Sequence, residues 1–335
     1  MMRADRRADW DRVGAAWFAA MRQGDFPAAW QASDQVLTMR HPAGQDDPAQ
    51  PYHLRWLWDG TPLDGRDILV RCYHGLGDTL QFCRYLPALR ARAARVTLEV
   101  QAELLPLVAT MGAVDRALPF DPAAPCPLPP GGVAVEIMEL AHALRLPPRP
   151  VPYLRIERTR AGPQPRVGVC WQVRPGWRPE RSMPQAAAAS LALDGLALHS
   201  LQKGLALPGM APCPDAVTDT ARVIAGLDLV VTVDTMVAHL AGAIGVPVWL
   251  LLDTAPDWRW LAPSATGGAT ADGTGDGSPW YRAVRKYRQH QPGDWHAPLQ
   301  AVIADLTRLV RAGTVDVQTG SWDAWIEASA SSSSG

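Results

Sequence analysis

The spacing of apolar residues changes along the chain and divides it into stretches of different character. Over residues 9–40, in WDRVGAAWFAAMRQGDFPAAWQASDQVLTMR, apolar side chains recur at helical intervals, and the run breaks at Gly24-Asp25. This predicts a helix, a turn and a second helix. HPAGQDDPAQP, at 41–51, predicts a loop. From 67 to 150 short apolar runs alternate with helical patterns. DILVRCY reads as a strand, residues 78–93 as a helix and RVTLEVQ as a strand; AELLPLVATMG reads as a short helix, and GGVAVEIMEL as strand material running into a helical LAHALRL. Prolines in residues 145–166 mark an extended linker. A second alternating series then begins with RVGVCWQ at 166–172 and continues through LALHSLQKG, a helix near 218–226, LDLVVTVD, a helix over 235–245 and VPVWLLLD. A glycine-rich loop at 265–279, the amphipathic APLQAVIADLTRLVRAG and a low-complexity tail complete the chain. Strands alternating with helices imply parallel sheets covered on both faces. The division expected is a helical hairpin over 1–50, one α/β half over 51–155, a second over 156–320, and a tail over 321–335.

Composition narrows the function classes. Hydrophobic residues make up 47% and charged residues 19% of the 335, ample for buried cores. The net charge of −1 does not advertise nucleic acid as a partner. Five cysteines, at 72, 83, 126, 170 and 213, show no C-x-x-C spacing and an odd count, which favours reduced thiols. The N-terminal stretch lacks the apolar run of a signal peptide, and no apolar run spans a bilayer. The expectation is a cytoplasmic protein with no transmembrane segment.

Three stretches carry candidate chemistry. In GLGD, Gly75 and Gly77 let backbone approach a ligand closely, and Asp78 falls at or near a helix N-cap. Capping alone accounts for Asp78, and a role as substrate ligand or base stays open. The dinucleotide fingerprint is incomplete, because Leu80 or Gln81 stands where its third glycine belongs. In VTVDTMVAHLAGAIG, Asp234 closes a strand and Thr235 opens a helix, so a carboxylate stands beside free amides suited to a sugar and a phosphate. His239 on that helix reads first as a buried, hydrogen-bonded histidine. WQVRPGWRPERSMP carries Arg174, Arg178 and Arg181 after a strand end, where they could neutralise a leaving pyrophosphate or merely be solvated. Lys203 also follows a strand. Trp258, Trp260, Trp280 and Tyr281 offer faces for stacking, though tryptophan more often packs. No nucleophile elbow, zinc spacing or P-loop is present.

GLGDTLQFCRYLPAL, VTVDTMVAHLAGAIGVPVWLLL and PDWRW together resemble glycosyltransferase family nine, the heptosyltransferase-like enzymes. WDGTPLDGRDILV and SPWYRAVRKYRQHQPGDW look like the branch in which tetratricopeptide repeats precede the transferase, and GDFPAAW resembles one such repeat unit. The resemblance runs from about Trp56 to about Val310. It implies a GT-B fold: two Rossmann-like parallel-sheet domains facing a cleft, preceded here by a short helical hairpin. It also implies an inverting, metal-independent transfer from a nucleotide sugar, ADP-heptose-like, with no cofactor. Asp78 matches the residue assigned as base. Asp234 matches the residue that contacts the donor sugar. Thr235 and the following amides, Met236 first, would lie at the diphosphate, with Arg181, Lys203 and His239 around the donor. Gly75, Leu76, Gly77, Trp258 and Arg259 would line the acceptor side of the cleft. The acceptor is a glycan, a small molecule or a protein side chain, and peripheral membrane contact stays open. The competing readings are a non-catalytic binding or scaffold protein of the same fold and a nucleotide-sugar epimerase or hydrolase.

Overall fold

The computed structural model describes residues 2–40, 55, 57–159, 162–260 and 278–312. Two helices open the chain, α1 (Met2–Gln23) and α2 (Phe26–Thr38). The break between them is the expected one. Gly24 takes a left-handed φ of 71°, and the Asp25 side chain caps α2 by accepting the Ala28 N–H at 3.0 Å.

The first sheet contains β1 (Ile68–Arg71), β2 (Val96–Val100), β3 (Arg116–Pro119) and β4 (Val133–Glu136), in the order β3-β2-β1-β4. The second contains β5 (Arg166–Cys170), β6 (Ala197–Ser200), β7 (Leu229–Val233), β8 (Val248–Leu252) and β9 (Val284–Arg288), in the order β6-β5-β7-β8-β9. Every pairing is parallel. In β1 and β7 every residue is buried, which is why these strands read as continuous rather than alternating apolar runs. Helices α3 (Leu76–Phe82), α4 (Leu86–Arg90), α5 (Leu105–Ala109) and α6 (Leu140–Leu144) belong to the first half. The second half holds α7 (Gln185–Ala189), α8 (Val217–Ala225), α9 (Met236–Ile244) and α10 (His296–Ala312).

Several elements differ from the sequence expectation. The single helix expected over 78–93 begins at Leu76 and is broken by a 3-10 turn over Cys83–Tyr85. Pro87, near the start of α4, has no N–H to give the Cys83 carbonyl, so the α ladder cannot run through. Strands β3 and β9 were not anticipated. The former is a partly exposed edge strand containing a proline, and the latter is rich in Arg and Lys, so neither reads as a buried run. The 41–51 loop, residues 265–277 of the glycine-rich loop and the tail lie outside the described residues.

The halves meet through α3 and α9. A Cβ on Gly77 would lie 2.8 Å from the His239 ring and 3.5 Å from the Met236 Cα, so only glycine allows this approach. Arg84, beyond α3, donates to the Trp280 carbonyl at 2.8 Å and the Arg149 carbonyl at 3.1 Å, with its guanidinium over the rings of Tyr153, Trp280 and Tyr281. The linker is strapped across the same seam. The Tyr153 and Leu154 amides both donate to the Ala243 carbonyl, and the Tyr153 hydroxyl donates to the Leu80 carbonyl at 2.8 Å. The hairpin docks on the first half, where Asp34 accepts from Arg145 and sits 2.8 Å from His142 Nε2. It also reaches the seam, where Trp17 packs edge-on against Trp258.

Candidate active site at the seam of the two sheets

Two sequence motifs far apart in the chain converge at the carboxyl ends of β1 and β7. Asp78 lies in the first turn of α3 at N3, three residues past the N-cap Gly75, and not at the N-cap itself. One carboxylate oxygen, Oδ2, accepts the Gly75 N–H at 2.9 Å, half of a capping box. The other, Oδ1, accepts from the Arg259 guanidinium. Capping and an outward-directed contact are thus made by different oxygens of one carboxylate.

Arg259 belongs to a 3-10 turn over Trp258–Trp260 that follows β8. Although 7% exposed, it is fully engaged: Nε donates to Gln81 Oε1 at 2.6 Å, Nη1 to Asp257 Oδ1 at 2.9 Å and Nη2 to Asp78. Its plane stacks on the Trp258 ring, 4.4 Å from the centroid. Asp257 reaches Arg181 as well, at 3.7 Å, and Arg181 is paired with Asp234 at 2.7 Å. The result is a run of alternating charge, Asp78–Arg259–Asp257–Arg181–Asp234, crossing from the first half to the second. Burial alone would raise the Asp257 carboxyl, but Arg259 and Arg181 more than offset that, and it sits below its ordinary value. Asp234 goes the other way. Burial outweighs the Arg181 contact and pushes its pKa up. Asp234 meets Arg181 Nη1 through Oδ2, while Arg181 Nε has no hydrogen-bond partner, so this end of the run retains one unused donor.

Thr235 is the N-cap of α9 and accepts the Val237 N–H at 3.2 Å through its hydroxyl. The Ala238 N–H goes to the Thr235 carbonyl, and the Met236 N–H, opening the helix, has no helical acceptor. The strand-to-helix turn therefore places a carboxylate, a hydroxyl and a free amide together.

Other expected site residues are placed differently. His239 is buried at 4% exposure, with Nδ1 2.9 Å from the Tyr281 hydroxyl and its ring stacked on Trp260. Burial, then Arg259, lowers its pKa to about 3, so it is a neutral packing residue on the buried face of α9. Trp258, Trp260, Trp280 and Tyr281 are all buried, so their faces pack on protein and cannot stack on a ligand in this conformation. Lys203 stands exposed just beyond β6, at the sheet edge away from β8 and β9, and is outside the charge run. Gly75 is exposed at the mouth of the turn, while Leu76 and Gly77 are half-buried.

Sequence reasoning missed Asp257, Gln81 and Glu136. Asp257 had a visible signal, two residues before Arg259 in PDWRW. Glu136 had none, because it ends an apolar strand. Its Oε2 accepts the Met138 N–H at 2.6 Å and its Oε1 is unpartnered, and burial, then Glu139, pushes its pKa well up. Among the described residues no group of three or more His, Cys, Asp or Glu side chains is arranged to hold a metal ion. Among them, too, no helix is long and apolar enough to cross a membrane.

Two parallel, Rossmann-like sheets with a polar seam at their carboxyl ends define the architecture, and solved structures share it. The E. coli ADP-heptose lipopolysaccharide heptosyltransferase II superposes with a TM-score of 0.50 at 15% identity, over 73% of this chain and 99% of that one. The glycosyl transferase family 9 structure from Veillonella parvula superposes with a TM-score of 0.52 at 12% identity, over 76% and 99%. The chain therefore has the fold of the family-nine heptosyltransferases. In sequence it is similar to Protein FlbA of Caulobacter vibrioides, 25% identical over an alignment 296 residues long that covers 74% of this chain and 48% of FlbA. The chain thus spans about half the length of that curated relative. No family model matches the chain.

Proposed function

We propose that this protein is an inverting glycosyltransferase that moves a sugar from a nucleotide-diphosphate donor, ADP-heptose-like, without a metal. The observation that carries the reading is the convergence of Asp78 and Asp234 on one charge run at the seam.

In this reading Asp78 is the general base. As the acceptor oxygen bonds to the anomeric carbon, Asp78 takes the hydroxyl proton and the nucleoside diphosphate departs with the electron pair of the broken C–O bond. A carboxylate suffices, because it need only accept the proton as that bond forms. Arg259 fixes the direction of the carboxylate and, with Gln81 and Asp257, keeps it at the seam. On the donor side Asp234 holds sugar hydroxyls, while Arg181, Thr235 and the Met236 amide hold the diphosphate and offset its growing charge. Positive charge and helix amides supply the stabilisation that a divalent cation gives elsewhere. The fold neighbour named for ADP-heptose supports the donor class. The acceptor is a glycan, a small molecule or a protein side chain.

A thermal-shift screen across ADP-, GDP-, UDP- and dTDP-sugars tests this reading. A rise in melting temperature with one nucleotide class, accompanied by its nucleoside diphosphate as product on addition of acceptor, is the expected outcome. Absence of any shift would favour a non-catalytic scaffold. Release of free sugar or an epimer without acceptor would point to a hydrolase or epimerase.

A further inference from the structure

The loop between β5 and α7 has a feature that neither the charge run nor the fold explains. Among the described residues, Trp177 is the most exposed large apolar side chain, at 63%. It stands between two left-handed residues, Gly176 at φ 82° and Arg178 at φ 42°. A non-glycine residue in that region costs of order 1 kcal/mol or more and persists only where its surroundings hold it. Here the hold is visible. Arg178 pairs with Glu180 at 2.8 Å and with Asp253 at 3.6 Å, and donates to the Ala255 carbonyl at 3.1 Å. Asp253 and Ala255 follow directly on β8. The loop is therefore pinned over the carboxyl end of the second sheet, with Trp177 at its tip. Three residues beyond Arg178, Arg181 turns inward to Asp234. One short segment thus carries a buried arginine paired with Asp234 and, four residues earlier, an open indole. Trp258, Trp260, Trp280 and Tyr281 are buried, whereas the Trp177 ring is open.

We propose that Trp177 is a substrate-binding residue whose indole face stacks on the sugar ring of the donor at the mouth of the cleft. The inference rests on the donor reading above and deepens it. A pyranose presents a face of C–H groups carrying partial positive charge, which matches the negative face of an indole. A diphosphate held at Arg181 and Thr235 would leave its sugar at Asp234, within the span of this loop.

Calorimetry with ADP and with ADP-heptose on the wild type, Trp177→Ala and Trp177→Phe tests the proposal. The exposure of the side chain makes loss of folding in these variants easy to check by melting temperature. The wild type is expected to bind ADP-heptose more tightly than ADP. Trp177→Ala should lose roughly threefold to tenfold in ADP-heptose affinity while its ADP affinity stays unchanged, and Trp177→Phe should recover part of the loss. Equal ADP-heptose affinity in the wild type and Trp177→Ala overturns the stacking role alone. Equal weakening for ADP and ADP-heptose overturns it too, placing Trp177 at the nucleotide. A wild type that binds neither probe overturns the donor reading, and this inference with it.

Discussion

His239 gives the seam a pH dependence that can be worked from its surroundings. The ring is buried between Trp260 and the Tyr281 hydroxyl, and its pKa falls to about 3 through burial and then Arg259. In the unfolded chain the same imidazole titrates near ~6.5. Between those values the unfolded chain takes up a proton that the folded chain refuses. Stability is therefore fully present above the unfolded value and is lost as pH falls below it. One such group removes about 2 kcal/mol between roughly pH 7 and pH 5. That corresponds to a fall of about 4–8 °C in melting temperature for a domain of ordinary size. Asp234 and Glu136, with raised pKa values, and Asp257, with a lowered one, also contribute to the pH profile, so the wild type alone does not isolate His239. His239→Gln does, because an amide can still meet the Tyr281 hydroxyl but cannot titrate. Melting temperatures of both proteins across this pH range should converge as pH falls, since the wild type loses more. Parallel curves would show that His239 is solvated or charged in the folded protein and would refute the packing described for α9.

Two further substitutions probe the same region. Gly242→Ala puts a Cβ 2.4 Å from Tyr281 Cδ1, in the contact that supports His239, so it should cost about 1–3 kcal/mol by overpacking. A melting temperature equal to the wild type would show that this contact is loose. Asp234→Ala leaves Arg181 with only Asp257, at 3.7 Å, and should cost about 1–3 kcal/mol of stability. It should also weaken donor binding about tenfold or more; an unchanged calorimetric affinity for ADP-heptose in the folded variant would remove Asp234 from the donor site.

Much of the architecture was legible because buried parallel strands and amphipathic helices write themselves as apolar runs and helical spacing. ILVR and LVVTV were plain for this reason, as was the hairpin break at Gly24-Asp25. RALP and VRKYR were not, because an edge strand needs no apolar run and the β9 arginines and lysine extend into polar contacts. Asp78 and Arg181 stood out in a glycine-marked and an arginine-marked turn after a strand, and Asp234 as a carboxylate between an apolar strand and a helix-opening threonine. Their joining through Arg259 and Asp257 was not legible, since pairing between residues so far apart depends on how the halves pack. The aromatic residues misled for a related reason. PDWRW and SPWY announce rings near the seam, but whether a ring faces a ligand or a neighbour is decided by burial. Trp177, the most exposed tryptophan ring among the described residues, lay in a stretch read mainly for its arginines.

The central claim, a donor held in the second half and a base on the first, is tested most directly with Asp78→Asn. Once the screen has identified the donor, calorimetry and single-turnover release of nucleoside diphosphate are measured on the folded variant and the wild type. Donor affinity is expected within about threefold of the wild type and turnover lower by about 10²–10⁴-fold, the usual contribution of a positioned general base. Wild-type turnover in Asp78→Asn would contradict the central claim.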